Sequence, residues 1–197
     1  MWSRFSEQSK RIVFYSQEAA RVHGNTDVTS EHLLAGLLQE VLTRPATKTD
    51  KTIWPPAPTN RLTPQNAAAL LLRQSIADLE KLQSEVQASI AGLNIAPTED
   101  ADRRRLASSA KQTTDRMIKE AMRVHAKEFG AEFLVLALSQ DIVGSVGKLL
   151  AQAGFDTETA RQKVAILHLP VKENKLVKPS LLTNLAKRFF AKPKDTI

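Results

Sequence analysis

The 197-residue chain contains no cysteine. That excludes disulfides, thiolate nucleophiles and most structural zinc sites, and makes a reducing cytoplasm the expected location. Aromatic residues amount to 5%, so the β-branched and aromatic runs that build strands are scarce. Ala, Leu, Gln, Lys and Arg abound instead, and the expected class is all-α. No stretch approaches the roughly 18 apolar residues of a membrane span, and the opening MWSRFSEQSK has no apolar run of signal-peptide length. No integral membrane span is expected. The sequence also lacks GxxxxGK[ST]: in GSVGKLL, at 144–150, the glycines stand too close together and leucine follows the lysine, so the loop cannot wrap a phosphate. His23, His32, His125 and His168 form no HExxH or other ligand spacing. No strand-turn-helix nucleophile elbow is visible. The expectation is therefore no catalytic residue, no metal, no cofactor and no enzymatic activity.

The chain repeats itself, and that is its most informative property. Shifted by 101 positions, Phe5 meets Leu106, Lys10 meets Lys111, Ala20 meets Ala121, Glu31 meets Glu132, Leu33 meets Leu134, Leu37 meets Leu138 and Gln39 meets Gln140. Further along the offset becomes 78, which pairs Leu71 and Leu72 with Leu149 and Leu150, Asp78 with Asp156, and Val86 with Val164. The first copy thus carries about 23 extra residues, and LTRPATKTDKTIWPPAPTNRLTP supplies them. This Pro- and Thr-rich stretch has no helical period and reads as an inserted loop.

Each copy reads as four helices. In the first they run from about Arg4 to His23, from Thr29 or Ser30 along Leu33, Leu34, Leu37 and Leu38, from Thr63 with Pro64 in the first turn, and through IADLEKLQSEVQASI to Gly92. In the second they run over 108–128, 131–140, 144–153 and 156–167, with Asp156 as an N-cap. The expected organisation is one double-repeat domain over 1–168, followed by a tail. Repeat one covers 4–92 with the loop at about 42–63, the polar linker covers 93–105, and repeat two covers 106–168.

The formal charge is +7, but 169–197 holds seven Lys or Arg against Glu173 and Asp195, so five of those charges sit in the tail. The tail has an amphipathic pattern: Ser180 can cap a short helix on which Leu181, Leu182, Leu185 and Phe189 share a face, beside Lys187, Arg188 and Lys192. Such a segment can fold back on its own domain, dock on a partner, or meet an anionic surface.

The stretch FSEQSKRIVFYSQEAARVHGNTDVTSEHLLAGLLQE, with its Ser30-Glu31-His32-Leu33-Leu34 motif, resembles the amino-terminal repeat domain of the Clp unfoldases, and GSVGKLLAQAGFDTETARQKV looks like the third and fourth helices of that repeat. The resemblance covers about 4–167. It implies two pseudo-symmetric four-helix repeats packed into one domain, standing without the ATPase modules. It also implies partners: a Clp chaperone or protease subunit, an adaptor, or a substrate protein. In some members two related pockets accept phosphorylated arginine, which by this likeness would place Glu31 and Glu132 at the ligand. The chain departs from the pattern where Ala131, Glu132 and Phe133 keep the acid but lose the hydroxyl and the histidine, and where Ile76 replaces a turn glycine.

Ser30, Glu31 and His32 carry two readings. They begin a helix, with Thr29 or Ser30 accepting backbone N–H bonds and Glu31 in the first turn, where the macrodipole favours an anion. They also suit a guanidinium ligand on Glu31, with helix N-termini and hydroxyls for its phosphate. Trp54, beside Pro55 and Pro56, is an apolar knob that either pins the loop to its domain or anchors a protein partner. The expected function is a non-enzymatic protein-binding module of Clp-dependent quality control. The alternative is a small helical regulator that binds nucleic acid or an anionic surface through its basic tail. The near-neutral body, without a recognition helix or base-stacking platform, weighs against nucleic acid.

Overall fold

The computed structural model describes residues 2–43, 66–93 and 105–168. A 3-10 turn at Trp2–Arg4 leads into α1 (Glu7–Val22), β1 (Asp27–Val28) and α2 (Ser30–Thr43), and α3 (Ala67–Ser75) and α4 (Leu79–Ala91) complete the first repeat. The second contains β2 (Arg105–Leu106), α5 (Ser108–Arg123), α6 (Ala131–Ser139), α7 (Ser145–Gln152) and α8 (Thr157–Leu167). Trp54, Leu185, Lys187, Arg188 and Phe189 lie outside the described residues, as do Thr63 and Pro64.

Local chemistry sets the helix ends. Ser6 accepts the Ser9 N–H at 3.2 Å, Asp78 accepts that of Lys81 at 2.8 Å, and Asp156 accepts those of Glu158 and Thr159 at 3.0 and 3.3 Å. These caps satisfy donors that a helix start otherwise leaves unpaired. Several boundaries differ from the sequence expectation. α1 begins at Glu7 rather than Arg4 because Ser6 caps it, and α2 continues through Thr43, into the stretch read as insertion. α3 begins at Ala67, beyond Pro64. α5 stops at Arg123 rather than Glu128, because the chain turns left-handed at His125 (φ 53°), as it does at the equivalent Gly24 (φ 69°). Ile76, in place of the turn glycine, adopts an extended conformation and is buried, whereas its counterpart Gly154 has φ 91°. A buried side chain replaces the left-handed turn.

The repeats exchange strands. β1 runs parallel to β2, with Asp27 opposite Arg105 and Val28 opposite Leu106, and Phe5 forms an isolated bridge with Phe129. At the offset of 101, Phe5 is the counterpart of Leu106 and Val28 that of Phe129, so the start of each repeat pairs with the helix-helix turn of the other. The hydrogen bonds follow the same swap: Ser6 N–H donates to Phe129 O at 3.2 Å and Ala107 N–H to Val28 O at 2.9 Å.

The core forms around α2 and α6. All nine residues of α6 are buried, and α2 buries eleven of its fourteen, Ser30, Glu31, His32 and Glu40 among them. Leu34, Leu37, Leu38, Leu136 and Leu138 have at most 1% of their surface exposed, and burial of each contributes about 2 kcal/mol. α1 and α4 pack on α2, and α5 and α8 on α6. Between repeats, α7 packs on α2 and α3 on α6. That reciprocal contact brings the start of α7 to the start of α2.

Candidate functional site

Three helix starts converge on Glu31. It lies in the first turn of α2, and its carboxylate accepts a hydrogen bond from Ser30 Oγ at 3.3 Å and a short one from Ser145 Oγ at the start of α7. The Ser30 backbone N–H donates to Ser109 Oγ at 3.3 Å, which brings in the first turn of α5. Burial pushes the Glu31 carboxyl upward, but hydrogen bonds from Ser145, Thr29, its own backbone N–H and Ser30 outweigh that and hold it below the usual carboxylate value. Glu31 stands in the first turn of α2, where the helix dipole favours an anion. The result is an ionised carboxylate, 8% exposed, held by the hydroxyls of Ser30 and Ser145. It is a natural acceptor for a guanidinium, beside a natural cradle for an anion.

His32 is placed otherwise. Its ring is fully buried, accepts the Thr29 N–H on Nδ1 at 3.1 Å, and lies 2.9 Å from Thr29 Oγ1 and 3.0 Å from the Asn25 side-chain amide. The ring therefore reaches back to the N-cap residue, as Glu does in a capping box. Burial lowers its pKa from 6.5 to about 4, with His23 adding to the shift and Glu31 opposing it. A neutral ring inside the turn shapes the site from behind and offers no surface to a ligand.

Glu132, the second expected ligand residue, sits in a different environment. Thr29, Ser30, His32, Ser109 and Ser145 correspond to Gly130, Ala131, Phe133, Gln8 and Ala67, so every hydroxyl around Glu31 is missing around Glu132. Its carboxylate folds over Gly130, where a Cβ would lie 2.5 Å from the Glu132 Cδ. Oε1 pairs with His168 Nε2 at 3.0 Å, while the buried Oε2 has no hydrogen-bond partner among the described residues. The structure thus joins Ser30 and Glu31 in one cluster and leaves Glu132 outside it. Sequence reasoning missed Ser109 and Ser145. Their signal was a hydroxyl at a helix start, legible only once the reciprocal packing of the repeats is known.

No family model matches the chain. The sequence is 25% identical over 164 residues to the chaperone protein ClpB of Oceanobacillus iheyensis, covering 83% of this chain and 17% of that protein. The chain spans 17 to 19% of the length of the curated relatives it matches. Its structure superposes on the amino-terminal domain of ClpD from Arabidopsis thaliana with a TM-score of 0.56 at 18% identity, covering 86% of this chain and 99% of that one. It superposes on the amino-terminal domain of Hsp104 from Candida albicans with a TM-score of 0.57 at 16% identity, covering 85% and 93%. The fold is that of the Clp amino-terminal domain, all-α and doubly repeated. Among the described residues no helix is long and apolar enough to cross a membrane.

Proposed function

We propose that this chain, built on the Clp amino-terminal fold, is a non-enzymatic protein-binding module of Clp-dependent protein quality control in the cytoplasm. Its partner is a Clp chaperone or protease subunit, an adaptor or a substrate. The observation that carries the reading is the Glu31 cluster: an ionised carboxylate at the seam of the two repeats, surrounded by Ser30, Ser109 and Ser145 and three helix starts. Such a cluster fits an arginine side chain, and a phosphoarginine better, because the guanidinium meets the carboxylate while the phosphate meets the helix starts. A ligand of this kind displaces the Ser145 hydroxyl from Glu31. The same geometry argues against Glu31 as a general base, since its pKa lies below the usual carboxylate value.

Calorimetric titration with an arginine-phosphorylated peptide tests the reading. Glu31→Ala should weaken binding by at least about tenfold, which is about 1.4 kcal/mol, and Glu132→Ala should change it far less. Equal affinities for wild type and Glu31→Ala would reduce the acid to a structural role. In a pull-down from cell extract, the tagged chain should recover a Clp chaperone, a protease subunit or an adaptor, and recovery of none would sink the assignment to the Clp system.

A further inference from the structure

The outer face of α1 carries a pattern that the fold does not require. Glu7, Lys10, Phe14, Glu18 and Arg21 recur at intervals of three, four, four and three residues, which puts them in one stripe along the helix. Ile12, Ser16 and Ala20, all without exposed surface, take the opposite side. Phe14 stands at the middle of the stripe with 63% of its surface exposed, its ring edge-on to Tyr15 at 5.9 Å. In repeat two the same five places hold Ser108, Lys111, Asp115, Lys119 and Met122, every one of them exposed. The shared backbone plan therefore accepts an aspartate where Phe14 stands, and nothing in it asks for an aromatic ring.

The spacing of the stripe is symmetric about Phe14, and its charges are antisymmetric. Glu7 and Arg21 lie seven residues to either side of the ring, Lys10 and Glu18 four. Two copies of α1 laid antiparallel and crossing at Phe14 thus set ring against ring, Glu7 against the partner's Arg21 and Lys10 against the partner's Glu18. A two-fold contact demands that every such pairing be returned by the other copy, and this stripe meets that demand at all five places. The ion pairs already present are kept. Lys10 bonds Glu7 at 2.6 Å and Arg21 bonds Glu18 at 2.5 Å within one helix, on a surface where such pairs contribute little by themselves. Opposed across the contact they form four-charge networks of alternating sign at both ends of an apolar centre, the arrangement of core and rim that protein interfaces use. The helix α5 cannot do the same: crossing at Asp115 would set aspartate on aspartate and Lys111 on Lys119.

We propose that the outer face of α1 is a self-association surface, on which a second copy of this chain lies antiparallel with Phe14 against Phe14. Glu7 to Arg21 spans about 21 Å of helix. That is less contact than the roughly 800 Å² per partner of a standard complex, so the dimer is weak and forms at about 100 µM and above. The proposal rests on no part of the Glu31 reading.

Sedimentation velocity of the full-length protein from about 10 µM to about 1 mM should show monomer giving way to dimer. Phe14→Asp copies repeat two at an exposed position and should weaken association by at least about tenfold. Arg21→Glu sets a carboxylate against the partner's Glu7 and should also weaken it about tenfold, whereas Glu7→Arg/Arg21→Glu should return it to within about threefold of wild type. The double variant makes both pairs within the helix like-charged while restoring opposite signs across the contact, so only an interface between copies predicts its recovery. Because the chain has no cysteine, a nitroxide at Gln17→Cys is a unique label. Mixed with isotope-labelled wild type, it should broaden the α1 amides of the other copy most strongly around Arg11 and leave α5 sharp. A monomer at every concentration, undiminished association of Phe14→Asp, or a double variant no tighter than Arg21→Glu would overturn the proposal. Broadening centred on Gln17 or on α5 would do the same, since the copies would then meet in another register or on another face.

Discussion

Repeat one and repeat two share a backbone plan and differ in what they bury. Repeat one places polar side chains inside: His32 at no exposure, Glu31 at 8%, Ser16 at none, with Gly36 beside them. Repeat two puts Phe133, Glu132, Met117 and Ala137 at the same places. Its turn is filled with hydrocarbon, and its one retained acid has an oxygen without a partner. The difference teaches that the fold needs only the leucine rows of α2 and α6 and the exchanged strands, because those are what both copies keep. The hydroxyls and the imidazole at the start of α2 are not kept by both copies, and they are the material from which a binding site around the retained acid can be made.

The sharpest break of the comparison is to give repeat one the alanine of repeat two. A Cβ on Gly36 would stand 2.5 Å from the Ile12 carbonyl oxygen and 2.8 Å from the Ser16 nitrogen, and closer still to Ser16 Oγ. Backbone on α1 cannot yield as a flexible side chain would, so Gly36→Ala should destabilise the protein by about 3 kcal/mol. The reverse change, Ala137→Gly, should cost only about 1 kcal/mol of helix propensity. Urea denaturation of the two variants measures both. A mild Gly36→Ala would mean that α1 sits no closer to α2 than α5 does to α6.

The fold was largely legible in the sequence because helical repeats announce themselves: two offsets and a turn at each copy are enough to place α1, α2, α5 and α6. Boundaries were less legible where conformation, not composition, decides. Nothing in the residue type of His125 says that it turns left-handed, and at the start of α3 the Asn66 side chain does not make the capping hydrogen bond to the helix that its residue type suggests. The site was half legible. Glu31 could be picked from its position at a helix start. Ser109 and Ser145 belong to other helices, and only the reciprocal docking of α7 on α2 brings them to it. His32 looked like a partner of Glu31, whereas its bonds run back to Thr29 and Asn25, a choice the sequence pattern does not distinguish.

The second comparison to sharpen is His32 against Phe133. Burial holds the His32 pKa at about 4 against 6.5, so the folded state favours the neutral ring. Its contribution is complete above pH 6.5 and is lost as pH falls from there toward 4, at up to about 1.4 kcal/mol per unit. Between pH 7 and pH 5 the protein should lose about 2 kcal/mol. The Glu31 carboxyl, held below 4.5, adds its own loss only at lower pH, so the two groups separate along the titration. His32→Phe, which copies repeat two, should flatten the upper part of the curve whatever it does to stability at neutral pH. Parallel curves for wild type and variant would show that protonation of another group sets the slope.

The smallest effect runs in the opposite direction and exposes a cost in repeat two. Thr113 has no exposed surface, and its Oγ1 has no hydrogen-bond partner among the described residues, while its counterpart in repeat one is the equally buried Ile12. A buried hydroxyl without a partner forfeits its hydration and gains nothing in return. Thr113→Val keeps the branched shape and removes the unpaired oxygen, so it should stabilise the protein by about 1 kcal/mol. The gain should appear in chemical denaturation as a higher midpoint with an unchanged slope. No helix cap or ion pair is touched by the change, which isolates the desolvation term. A destabilised Thr113→Val would mean that the hydroxyl holds a bound water, and the two repeats would then differ in internal hydration as well as in side-chain chemistry.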